Sequence, residues 1–110
     1  MTGWAAIGRR ALLALVVSAA AASAQEAAPD RAAIEAGEAV YNNYCQTCHG
    51  DRLVNTGQTF DLRRLTVGDR ARFENSVRNG KNQMPPWKDV LSAEEIGQVW
   101  AYIRANANQK

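Results

Sequence analysis

Cys45-Gln46-Thr47-Cys48-His49 is the stretch on which the reading of this chain turns. Two thiols three positions apart, at the end of a helix, can reach two carbons on one edge of a porphyrin. The adjacent imidazole then lies under the ring, where it can ligate iron. C-x-x-C-H is for that reason the attachment signature of c-type haem. Other uses of the same residues need partners that are missing. A Cys45–Cys48 disulfide would close a tiny loop and gain little chain entropy. A thioredoxin-like redox pair needs a βαβ setting, and no run of strand periodicity occurs. A zinc site would stop at Cys45, Cys48 and His49, because the chain holds only 2 cysteines and 1 histidine, one short of four ligands.

Working outward toward the N-terminus, Asp30 can cap a helix running to about Tyr44, with Ile34, Val40-Tyr41 and Tyr44 as a rough apolar stripe. Gln25–Pro29 reads as a frayed leader. Before it, Arg9-Arg10 precedes an apolar run from Ala11 to Val17, and small residues lead to Ala22-Ser23-Ala24. This is the pattern of a cleaved secretory signal over residues 1–24, with Gln25 opening a single domain over 25–110. The apolar run is short of the roughly 20 residues that span a bilayer, so no stable membrane insertion is expected after cleavage; an uncleaved anchor is the alternative. Thioethers to haem form on the unfolded chain after export, so motif and signal point to one compartment, the periplasm.

Toward the C-terminus, Gly50–Leu65 lacks periodicity and reads as loop. Thr66-Val-Gly-Asp69 is a capping box that opens a helix through Phe73 and Val77, stopped by Asn79-Gly80. Pro85-Pro86 forces a loop over Lys81–Asp89. A second box, Ser92-Ala-Glu-Glu95, starts the clearest helix, with Ile96, Val99, Trp100 and Ile103 at i, i+3, i+4 and i+7. The fold class is all-α, three to four helices around one covalent haem. A domain this small is marginal without a staple, metal or cofactor. The net charge of +2 comes from Arg9 and Arg10; without them acidic and basic side chains balance. Nothing in this resembles the clustered basic face of a nucleic-acid binder.

Iron held by His49 needs a partner on the other face of the haem. His49 is the only histidine and Met1 lies in the signal, so elimination leaves Met84 as the one thioether, on a loop stiffened by two prolines. Lys81, Lys88 or an open position are the alternatives, and core filling is the ordinary use of a methionine.

These residues together resemble the mono-haem class I cytochromes c over roughly Ile34–Asn106. The carriers of the resemblance are Gly37 and Tyr41, Cys45–Gly50, Met84-Pro85-Pro86-Trp87 and Trp100-Ala-Tyr-Ile103. The resemblance implies that the first and last helices cross near a glycine, Gly37, with Tyr41 meeting Val99 and Tyr102. One departure stands out. The family commonly carries a proline soon after the haem-binding histidine, and that residue's carbonyl orients the ring. No proline lies between His49 and Pro85 here, so the acceptor for His49 is open. Arg63, Arg64 and Trp87 are candidates for holding the propionates, and Phe60, Leu65, Phe73 and Val77 for lining the pocket.

The function expected is that of a monomeric periplasmic single-electron carrier with one haem c on Cys45 and Cys48, ligated by His49 and Met84. It would be no enzyme and have no catalytic residues. Its partners would be transient redox proteins. The run Phe60-Asp-Leu-Arg-Arg64, Phe73–Val77 and Met84–Trp87 resembles small cytochromes that serve periplasmic quinoprotein alcohol dehydrogenases, with a terminal oxidase or another cytochrome as acceptor. The alternatives are a five-coordinate gas-binding or sensing haem protein, a peroxidase, and an electron-transfer subunit of a larger dehydrogenase complex.

Overall fold

The two long helices each begin at a residue whose side chain satisfies a free backbone N–H. Asp30 accepts the N–H of Ala32 at 3.1 Å and opens α1, Arg31–Tyr44. A single residue, Cys45, separates it from the one-turn α2, Gln46–His49. The Thr66/Asp69 capping box is formed, but its first product is a 3₁₀ turn, Val67–Asp69, from which α3, Arg70–Asn79, continues. Ser92 and Glu95 cap one another's N–H groups at 3.1 and 3.0 Å and open α4, Ala93–Asn106. Between α2 and α3 the chain makes two further 3₁₀ turns, Asp51–Leu53 and Leu62–Arg64. This computed structural model describes Gly3, Ala14, Leu15 and residues 30–107. Apart from those three positions, the signal over 1–24 and its cleavage point lie outside the described residues. Among the described residues there is no strand, only an isolated bridge between Lys81 and Met84. No helix among them is long and apolar enough to cross a membrane. The all-α expectation holds, with four α-helices among the described residues.

The principal contact is α1 against α4. At Gly37 a side chain would run into the backbone carbonyl of Gln98, so the two helices touch through their main chains. That approach lets Tyr41, with no exposed surface, stack at 5.3 Å and 48° on Tyr102. Ile96, Val99, Trp100 and Ile103 are all buried, as their helical spacing requires. Phe73 carries α3 onto α4 by tilting against Trp100 at 5.2 Å. Arg104 then ties the end of α4 to the segment that leads into α3, its Nη1 donating to the Leu65 carbonyl at 2.7 Å.

A methyl group at Gly37 meets backbone, not a yielding side-chain end, so the helices must move apart. Gly37→Ala should destabilise the protein by about 3 kcal/mol, the upper end of ordinary overpacking costs, read as a lower midpoint of guanidinium unfolding. A change within 0.5 kcal/mol would mean that the crossing is looser than described.

Candidate functional site

Cys45 closes α1 and starts α2, its N–H bonded to the Tyr41 carbonyl and its own carbonyl accepting from His49 N–H, both at 2.9 Å. One helical turn therefore carries Cys45 and Cys48 on the same side, three residues apart, with His49 next in line. Both cysteines are free thiols. The turn is anchored from α1: the Tyr41 hydroxyl donates to the Gly50 carbonyl at 2.6 Å inside the core, and burial pushes the Tyr41 phenol well above its ordinary range.

All four residues singled out in the sequence, Cys45, Cys48, His49 and Met84, line one cavity of about 870 Å³. This is within the range of cofactor sites. Met84 arrives from a separate segment. A two-residue turn binds it back, with Met84 N–H to Lys81 O at 2.9 Å and Lys81 N–H to Met84 O at 3.1 Å. Gly80, at φ +80°, lies so close to the Met84 carbonyl that a side chain there would strike it. Beyond the prolines, Trp87 N–H bonds to Val77 O at 2.8 Å, fastening the segment to α3. The remaining wall is largely apolar. Leu65, Phe73, Val77 and Phe60 take part as expected, together with Ile96 and Val99 of α4.

Burial holds the His49 imidazole below its ordinary pKa, against the opposing effect of a hydrogen bond to the Phe60 backbone. The neutral ring that results is the form able to bind a metal. The Cys45 thiol is pushed up to about 11, by burial first and the neighbouring Cys48 sulfur second.

The expected anion-holding residues are only partly placed at this cavity. Trp87 lines it, edge-on to Tyr44 at 5.5 Å. Arg63 and Arg64 do not; Arg63 pairs instead with Asp61 at 3.3 Å. The cations on the wall are Arg72, lying 5.9 Å over the Phe60 ring, and Lys81. Arg72 was missed because it sits mid-helix in a run of charged residues, where a solvated face is the usual outcome. Thr59 was missed as well. Its hydroxyl lies 3.2 Å from His49 Nδ1 and 3.2 Å from the Cys48 carbonyl. The missing proline was the one sign that some other residue had to meet the ring.

The donor set suits haem c: two thiols on one helical turn, an adjacent imidazole, a thioether from a distant segment and an apolar enclosure. Comparison with known proteins agrees. Residues 32–103 match the family described as cytochrome c oxidase, cbb3-type, subunit III. A quinohemoprotein alcohol dehydrogenase, ADH-IIG of Pseudomonas putida, is 35% identical over 81 residues, covering 72% of this chain and 11% of that protein. Its solved structure superposes with a TM-score of 0.66, over 71% of this chain and 12% of the other. Cytochrome c6 of Bryopsis maxima is 35% identical over 69% of this chain and 94% of its own length. The chain thus spans about a tenth of the dehydrogenases it matches, 94% of the Bryopsis cytochrome c6 and 55% of cytochrome c550 of Pseudomonas aeruginosa. The chain belongs to the cytochrome c family of electron carriers, among the class I mono-haem members, and the family implies haem c as its cofactor.

The tyrosine that anchors the α2 turn provides a test of this geometry. Tyr41→Phe leaves the buried Gly50 carbonyl without its donor and should cost about 2 kcal/mol in guanidinium unfolding of the haem-loaded protein. An unchanged midpoint would show that the hydroxyl carries none of the turn's stability.

Proposed function

We propose that this protein is an exported, periplasmic single-electron carrier in which Cys45 and Cys48 would hold one haem c through thioethers and His49 and Met84 would bind its iron. The observation that carries the reading is the meeting of these four residues on one apolar cavity, although Met84 comes from a segment far along the chain. Haem c, when bound, supplies a ferric/ferrous couple. The work of the chain is to hold that couple. Cys45 and Cys48 fix it to the α2 turn, His49 presents a neutral imidazole, and Met84 contributes a soft thioether that favours the reduced state. The apolar wall limits water and with it the reorganisation that accompanies a change of charge. One electron is taken from a reduced partner and passed to an oxidised one, outer-sphere, with no bond made or broken, so no catalytic residue is needed. A thiol raised to about 11 is a poor nucleophile near neutral pH, in keeping with attachment on the unfolded chain after export. The mature protein would begin at Gln25.

Intact mass of periplasmically matured protein should give the chain from Gln25 plus one haem; a haem-free mass would refute the reading. In the loaded protein, Met84→Ala should open the iron to carbon monoxide, lower the midpoint potential and abolish the weak sulfur-to-iron charge-transfer band. If band and potential survive, the ligand is another residue. Lys81 is then first in line, since it lines the cavity and Lys88 does not. Rapid carbon monoxide binding by the wild type would favour the five-coordinate sensing alternative.

We propose further that the donor is a quinoprotein alcohol dehydrogenase. Support comes from the similarity to part of a quinohemoprotein alcohol dehydrogenase, which equally suits a role as the electron-transfer subunit of such a complex. With acidic and basic side chains balanced beyond residue 24, docking should depend weakly on ionic strength. Stopped-flow mixing with a pyrroloquinoline-quinone dehydrogenase of the same organism should reduce the haem rapidly, with a shallow salt dependence. Slow reduction, with fast oxidation by a terminal oxidase, would point to a general respiratory shuttle.

A further inference from the structure

Resting on the reading of His49 as an iron ligand, we infer that the Thr59 hydroxyl is the group that positions this ring and selects its tautomer, a task usually met by a backbone carbonyl. A histidine bound to metal through one nitrogen generally donates the proton of the other to a fixed acceptor, which sets ring orientation and ligand basicity. Thr59 Oγ1 stands 3.2 Å from His49 Nδ1 and 3.2 Å from the Cys48 carbonyl oxygen. A hydroxyl has one proton and two lone pairs, whereas a carbonyl can only accept. The threonine proton therefore goes to Cys48, whose carbonyl lies in the last turn of α2, where no intrahelical donor is available. The lone pair left facing Nδ1 requires that nitrogen to carry the imidazole proton. Nε2 is then the bare nitrogen, free to bind iron. Proton order runs one way along the relay, from His49 Nδ1–H to Thr59 Oγ1 and from Thr59 O–H to Cys48 O.

The same hydroxyl thus links the ligand to the neighbouring attachment cysteine. Its position is set by the loop itself. The Asn55 side chain spans the turn, accepting from Gly57 N–H at 2.8 Å and donating to the Thr59 carbonyl at 3.1 Å. This clamp holds the Thr59 backbone by contacts that do not involve the ring. The rival acceptor is the Phe60 backbone, which also reaches His49.

The test uses haem-loaded wild type, Thr59→Val and Thr59→Ser. Valine keeps the shape of this half-buried side chain and removes the hydroxyl; serine keeps the hydroxyl. Two readouts report on the ring itself: solvent exchange of the His49 Nδ1 proton by nitrogen-resolved NMR of the ferrous state, and the midpoint potential. In Thr59→Val the proton should exchange about five- to tenfold faster, the factor expected from one net hydrogen bond. The potential should shift upward, because a ring that donates no proton is less electron-rich and stabilises ferric iron less. Thr59→Ser should restore both. Unchanged exchange and potential in Thr59→Val, with His49 still ligated, would overturn the assignment and leave Phe60 as the acceptor. A shift that serine fails to restore would overturn it in favour of simple packing. If the His49 ring resonances of the ferrous wild type lack the upfield ring-current shift acquired by a ring held over a haem face, the ligand reading itself falls, and this one with it.

Discussion

The backbone contact between α1 and α4 at Gly37 and Gln98 is the constraint from which the rest of the molecule is built. Only with the helices that close can Tyr41 tilt against Tyr102 and vanish from the surface while its hydroxyl reaches the Gly50 carbonyl. That hydrogen bond fixes how the chain leaves His49, and so fixes the orientation of the turn bearing Cys45 and Cys48. Tyr102 thus serves the helix crossing, while Ile96, Val99 and Ile103 of the same helix line the cavity. A single amphipathic helix contributes to both.

Core and cavity are not separate compartments in this domain. Leu65, Phe73, Leu91, Ile96, Val99 and Ile103 belong to the buried core and also line the cavity. A large apolar group seated there would remove from water the same side chains that hold the helices together, so binding and folding are thermodynamically linked. This resolves the difficulty of a small chain with a modest core. It also accounts for the way Met84 is delivered. The segment from Gly80 to Trp87 is held by main-chain bonds to its own turn and to the end of α3, with Trp87 packed against the core. Two prolines remove conformational freedom that a loop would otherwise lose on folding.

Much of this was legible in the residues because the signals were local. The Ser92/Glu95 and Thr66/Asp69 boxes act within three residues, and the helix faces from Ile96 to Ile103 follow directly from 3.6-residue periodicity. Where local signals compete, the details shifted: the Thr66 box opened a 3₁₀ turn before the α-helix took over. Arg63 and Arg64 looked suited to an anion, yet Arg63 is held by Asp61 two residues away, an encounter set by the 3₁₀ turn that contains it. Arg72, mid-helix among charged residues, carried no signal in the sequence; it pairs with Asp69, stays largely exposed and still reaches the cavity wall over Phe60.

What the sequence alone determined is the set of chemical groups and the helices that carry them. The Cys45-x-x-Cys48-His49 turn, one histidine and one methionine beyond the signal allow few assignments, and capping and periodicity place them on a helical frame. What only the tertiary structure decided is which groups from distant segments share a space. Met84 reaches the cavity because α3 and the Gly80 turn carry it there, and Thr59 meets His49 because the Asn55 clamp folds the intervening loop back on α2. Such meetings depend on loop closure and long-range packing, whose free energy is spread over many weak contacts and leaves no periodic trace in the order of residues.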